Sequence, residues 1–128
     1  MARILLVDDE RDVVTLIKFM LEKDGHMILS AFDGAEALAK AGVEPRDETA
    51  VVPDLVILDV LMPVMGGEAV CARLREDERT KNIPVIVLTA KGGGEVEFDP
   101  ACGETSHLEK PFDPKVLREL VASLLEKR

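Results

Sequence analysis

Short apolar runs alternate with amphipathic stretches along this chain. Runs of strand length fall at residues 3 to 8 (RILLVD), 26 to 32 (HMILSAF), 54 to 59 (DLVILD) and 84 to 89 (PVIVLT), with a weaker fifth at 106 to 109 (SHLE). Between them apolar residues recur at helical spacing. Val13, Leu16, Ile17, Met20 and Leu21 mark a helix over 11 to 24, and Ala35, Leu38 and Ala41 one over 34 to 41. Val70, Cys71 and Leu74 mark 67 to 77, and Val116, Leu117, Leu120, Val121, Leu124 and Leu125 mark 114 to 126. Asp33 with Glu36 three residues later forms a capping-box pattern, and Asp113-Pro114 supplies an N-cap and first helical residue.

Strands separated by helices predict an α/β domain with a doubly wound, five-stranded parallel sheet. Strands one, three and four are almost wholly apolar, as a strand covered on both faces must be; two and five carry His, Ser and Glu and belong at the edges. The order 2-1-3-4-5 satisfies this pattern with right-handed crossovers and a switch point between strands one and three. Ligands of such sheets bind beyond the carboxyl ends of the strands at that point. The segment 42 to 53 (GVEPRDETAVVP) reads as a solvated connection.

The 128 residues suit one domain, 1–128, with a core that needs neither disulfides nor a structural metal. No apolar run is long enough to cross a membrane, and Met1-Ala2-Arg3 leads straight into a strand, so neither membrane attachment nor a signal peptide is expected. Cys71 and Cys102 lack metal-ligand spacing and suit a reducing, cytoplasmic setting as small packing residues. The net charge of -9, without clustered Lys or Arg, argues against direct nucleic-acid binding.

Chemistry concentrates where the strands end. Strand one closes in Asp8-Asp9, strand three in Asp59, strand four in Thr89, and Lys110-Pro111 follows strand five. Each alone has a plainer reading: a helix cap for Asp8 and Asp9, a turn residue for Asp59, a β-branched strand end for Thr89, a solvated charge for Lys110. Parallel strands nevertheless bring all of them to one sheet edge. Three carboxylates in one crevice repel one another unless a cation joins them, and a hard divalent ion such as Mg2+ is the natural partner. With a lysine and a hydroxyl beside it, the set suits phosphoryl transfer onto Asp59.

These residues sit in blocks that carry a resemblance: "LLVDDE" (5 to 10), "DLVILDVLMPVMGG" (54 to 67), "PVIVLTAK" (84 to 91) and "LEKPF" (108 to 112). Over essentially its whole length the chain resembles the receiver domain of bacterial two-component response regulators, CheY-like proteins of flavodoxin-like fold. That resemblance implies a cytoplasmic signalling switch, an enzyme only toward its own phosphotransfer and dephosphorylation. Asp59 would accept a phosphoryl group from a sensor histidine kinase or phosphotransfer protein. Mg2+ would be held by Asp9, Asp59 and the main-chain carbonyl of Leu61, with Asp8 acting largely through water. Thr89 and Lys110 would engage the acyl phosphate, and the Lys110-Pro111 bond would be cis. Met62 and Met65 read as loop packing, and Gly66-Gly67 as a turn.

The sequence departs from the family pattern at several positions. His107 stands where an aromatic switch residue usually accompanies Thr89, and the chain has neither Tyr nor Trp. Leu61 and Lys91 occupy the positions that tune phosphoryl lifetime in the family; Leu61 cannot hydrogen-bond an attacking water, which predicts slow self-dephosphorylation. The helix expected between strands four and five, helix four of the family pattern, is short or replaced by loop. Gly92 to Gly94 and Pro100 disfavour it, leaving a loop at 91 to 98 and about one turn capped by Gly103. That altered output face supports one alternative, a phosphorylation-independent interaction module. A phosphatase with an Asp nucleophile would favour an acid at Leu61, and a cofactor binder a glycine-rich loop after strand one. No output domain is expected within these residues, and the downstream partner is unknown.

Overall fold

The computed structural model describes residues 2–60, 65–89, 102–103 and 105–126. In chain order they form β1 (Arg3–Val7), α1 (Arg11–Lys23), β2 (Met27–Ala31), α2 (Gly34–Lys40), β3 (Leu55–Asp59), α3 (Gly67–Glu76), β4 (Val85–Thr89), β5 (Ser106–Glu109) and α4 (Pro114–Glu126). All four strand pairings are parallel, in the order β2-β1-β3-β4-β5. The expected flavodoxin-like topology is therefore present, with β2 and β5 at the edges.

The side-chain period of two splits each central strand between two cores. Leu5, Val7, Val56, Leu58, Val85 and Val87 face α2 and α3, where they meet Leu38, Val70, Cys71 and Leu74. Ile4, Leu6, Leu55, Ile57, Ile86 and Leu88 face the opposite way, onto Val14, Ile17 and Leu21 of α1 and Leu117 and Val121 of α4. The apolar alternation thus dictates which helices lie on which face. Gly34 lets α2 approach α3, since an added Cβ would stand 2.7 Å from a Val70 methyl. Cys71 and Cys102 form no disulfide and are fully buried, as packing residues would be.

The helical stripes are narrower than the sequence pattern implies. Leu16 is 51% exposed and Val116 44%, whereas Val14, outside the predicted stripe, is buried. Asp33 caps α2 as expected, accepting from the Glu36 amide at 2.8 Å; Glu36 reaches back to the Phe32 amide at 2.7 Å rather than to Asp33 itself. The Asp113 carboxylate accepts from the Lys115 amide at 2.9 Å at the start of α4. Nor is the 42 to 53 connection simply solvated. The Arg79 guanidinium donates to the Gly42 and Asp47 carbonyls, and Arg46 reaches the buried Asp77 at 3.4 Å. The expected loop at 91 to 98 and the residues around Pro100 lie outside the described residues; Gly103 has φ +65°, the left-handed conformation of a glycine cap.

At the amino ends of the strands, His26 accepts a 3.3 Å hydrogen bond from the Ala2 amide through Nδ1. Burial lowers the pKa of its imidazole, and the nearby Asp24 carboxylate offsets this only in part. A histidine that is harder to protonate when folded stabilises the fold fully above its unfolded pKa, about 6.5, and that stability is lost as pH falls through the lowered folded value. We expect an NMR titration of His26 with a midpoint below the ordinary histidine value. His26→Asn should weaken the dependence of stability on pH below neutrality.

Candidate functional site

The carboxyl ends of β1, β3 and β4 lie level because the ladders hold them in register: Val7 faces Leu58, and Asp59 faces Leu88. Backbone bonds continue one residue past the strands. The Asp8 amide donates to Ala31 at 3.1 Å, the Val60 amide to Leu88 at 3.1 Å and the Lys110 amide to Thr89 at 2.7 Å. These contacts fix the chain where Asp8, Asp59 and Lys110 project. They gather at one place.

Carboxylate oxygens of Asp8, Asp9, Glu10 and Asp59 all lie within 4.8 Å of one another. Asp8 is completely buried and Asp59 nearly so, whereas Asp9 and Glu10 are exposed. Lys110 enters the cluster from beyond β5. Its Nζ lies 2.8 Å from Asp8 Oδ2, 3.3 Å from Glu10 Oε1 and 3.5 Å from Asp59 Oδ2. Burial alone would lower the lysine pKa, but the hydrogen bond and charge of Asp8, joined by Asp59 and Glu10, outweigh it and raise the value above the ordinary lysine range. The ammonium therefore stays charged.

Asp8 does not cap α1. Its Oδ1 accepts from the Glu10 amide at 2.9 Å, and Glu10, the N-cap residue, makes no side-chain capping bond. Thr89 is buried at the end of β4, and its hydroxyl donates to the Leu108 carbonyl at 3.4 Å. His107 is exposed on β5, where its Nε2 lies 2.7 Å from the Thr105 hydroxyl. The Lys110–Pro111 peptide bond is cis. Leu61, Met62 and Lys91 lie outside the described residues.

A donor set of carboxylate oxygens fits a hard cation. Ligands of an octahedral Mg2+, each about 2.1 Å from the ion, are about 3 to 4 Å apart, compatible with this cluster. Among the described residues, four carboxylates share the crevice with one ammonium, an excess of negative charge. Both Asp8 oxygens accept hydrogen bonds, Oδ1 from the Glu10 amide and Oδ2 from the Lys110 ammonium.

The family model for the response regulator receiver domain matches residues 4–122. The chain belongs to that family. Among curated relatives of this receiver, the alkaline phosphatase synthesis transcriptional regulatory protein PhoP of Bacillus subtilis is 37% identical across 98% of the chain and 49% of its own length. Protein PilH of Pseudomonas aeruginosa is 35% identical, with 98% of each chain covered. The receiver spans about half or about a quarter of the first curated relatives it matches. Among solved structures, chemotaxis protein CheY4 of Vibrio cholerae superposes with a TM-score of 0.78 at 32% identity, covering 97% of this chain and 98% of its own. The receiver domain of sensor histidine kinase PA1611 from Pseudomonas aeruginosa, with a magnesium ion coordinated in its active site cleft, gives 0.82 at 28% identity, with 98% of each chain covered. Among the described residues of this receiver, no helix is long and apolar enough to cross a membrane.

Two participants escaped the sequence reading of the site. Glu10 belongs to the carboxylate cluster; its only signal was adjacency to Asp8-Asp9. Gly67 is more than a turn residue, because an added Cβ would stand 2.3 Å from the Asp59 carbonyl oxygen, and its amide donates to Val60 at 2.9 Å. Gly67→Ala must therefore displace the Asp59 backbone. We expect a loss of about 1–3 kcal/mol in urea unfolding, with the largest amide shift changes at Asp59 and Val60.

Proposed function

We propose that this receiver, read as one unit over residues 1–128, takes a phosphoryl group on Asp59 from a sensor histidine kinase or phosphotransfer protein and thereby switches its protein contacts. The observation that carries this reading is the convergence of Asp8, Asp9 and Asp59 with Lys110 at the carboxyl edge of the sheet. Asp59 lies within reach of Lys110, its Oδ2 standing 3.5 Å from the ammonium that would meet the added charge.

In the proposed step an Asp59 oxygen attacks the donor's phosphorus. The new P–O bond forms as the bond to the donor breaks, and the donor departs with that electron pair, leaving an aspartyl phosphate. Lys110, already directed at Asp59, neutralises the added charge. Thr89 would exchange its long bond to Leu108 for one to a phosphoryl oxygen. Asp9, Asp59 and the Leu61 carbonyl would hold Mg2+, with Asp8 contacting it through water. When bound, Mg2+ supplies charge neutralisation and orientation of phosphoryl oxygens. The acidic cluster and the magnesium-bearing PA1611 relative both support that assignment. Hydrolysis reverses the modification, as water attacks phosphorus and Asp59 is released.

His107 is proposed to accompany Thr89 in signalling, since both lie on neighbouring strands with Val87 opposite His107. The cytoplasm is the proposed setting, and the downstream partner is a protein surface or output domain rather than nucleic acid contacted by this acidic chain.

Incubation with Mg2+ and a small phosphodonor should add one phosphoryl mass to the wild type and none to Asp59→Asn. Intact mass spectrometry decides this; a gain that survives in the variant, or never appears in the wild type, overturns the mechanism. Leu61→Asn, which offers a hydrogen-bonding side chain to the attacking water, should shorten the phosphoryl half-life several-fold; an unchanged decay sinks the slow-hydrolysis reading.

A further inference from the structure

An ammonium group has three N–H donors. In this structure three carboxylates surround that of Lys110: Asp8 at 2.8 Å, Glu10 at 3.3 Å and Asp59 at 3.5 Å. A new acceptor on Asp59 must therefore compete for a donor. The three partners differ greatly in how easily they yield one.

Asp8 is completely buried, and leaving its carboxylate without the ammonium would strand a charge in the interior. Asp59 is the atom group to which a phosphoryl would attach. Glu10 has a side chain 61% exposed, so water replaces the lysine at small loss. Helix capping does not account for the Glu10 side chain: as N-cap of α1 it makes no side-chain capping bond, and its backbone carbonyl alone receives the Val14 amide at 3.1 Å.

From this we infer that Glu10 is a positioning residue that holds Lys110 in the unphosphorylated receiver and competes with the incoming phosphoryl group for it. The inference rests on the proposed phosphorylation of Asp59 for its second half, while the hold on Lys110 stands on the unphosphorylated geometry. Glu10 thereby sets how readily the site converts, without contacting the reacting atoms. Substitution by glutamine preserves size and leaves the backbone cap intact.

The test compares wild type, Glu10→Gln and Asp12→Asn. Asp12, an exposed acid in the first turn of α1, is not one of the three carboxylates at Lys110, so its loss removes equal charge nearby without touching the lysine. The first measurement is exchange of the Lys110 ammonium protons with water, by NMR without phosphodonor or metal. The second is the extent of beryllium trifluoride capture in the presence of Mg2+, an uncatalysed stand-in for the phosphoryl group.

Glu10→Gln should speed ammonium exchange several-fold and raise the apparent affinity for beryllium trifluoride about two- to fivefold, the range of an exposed ion pair. Asp12→Asn should leave the exchange as in wild type and change capture less. Unaltered ammonium exchange in Glu10→Gln overturns the inference, and so does capture that rises equally in Asp12→Asn, which would mark bulk charge as the cause. Failure of wild type to take any phosphoryl group on Asp59 would instead strike the proposed function, and with it the competition, while ammonium exchange would still decide whether Glu10 holds Lys110.

Discussion

The contact between Lys110 and Asp8 holds the site together. An ionised carboxylate removed completely from water requires a close opposite charge, and the ammonium at 2.8 Å provides it. Removing Lys110 would leave Asp8 buried without that charge, whereas removing Asp8 would still leave Lys110 beside Glu10 and Asp59. Because Lys110 follows β5 and Asp8 follows β1, this one ion pair reaches from the edge strand past the ends of β4 and β3 to β1. The crowding of Asp9, Glu10 and Asp59 around it is tolerable only with that positive charge present, and still leaves an excess of negative charge suited to a cation.

The pair depends in turn on register. A slip of one residue in any central strand would exchange the two cores, sending Leu5 and Val7 to the face now occupied by Ile4 and Leu6. Such a slip would also carry Asp8 or Asp59 away from the common edge. The same apolar alternation that assigns α1 and α4 to one face and α2 and α3 to the other therefore aligns the chemistry. Folding and site assembly are one constraint here, and the backbone bonds from Asp8, Val60 and Lys110 extend it just beyond the strands.

This coupling explains what could be read from the sequence. Asp8, Asp59, Thr89 and Lys110 were legible because each ends or follows an apolar run, and parallel topology then places run ends together. Glu10 was not, since an acid beside the start of a helix has a sufficient local explanation in the helix dipole. Gly67 was legible as a turn but not as a close neighbour of Asp59, a distance that only the packed loop sets. Leu16 and Val116 obey helical spacing yet face outward, because spacing defines a stripe without fixing the width of the surface that covers it. The bonds from Arg79 to the 42 to 53 connection were likewise invisible, as they join residues more than thirty positions apart.

The site also treats its two buried carboxylates differently. Asp8, with both oxygens bonded, forms the frame, and the ammonium stands closer to it than to Asp59, at 2.8 Å against 3.5 Å. Had the distances been reversed, the fully buried carboxylate would be the more weakly compensated of the two. Gly67 then confines Asp59 through its backbone, where a side chain would push it aside. Packing at Gly67 and the end of β3 thus fixes where the Asp59 carboxylate stands relative to Asp8 and Lys110.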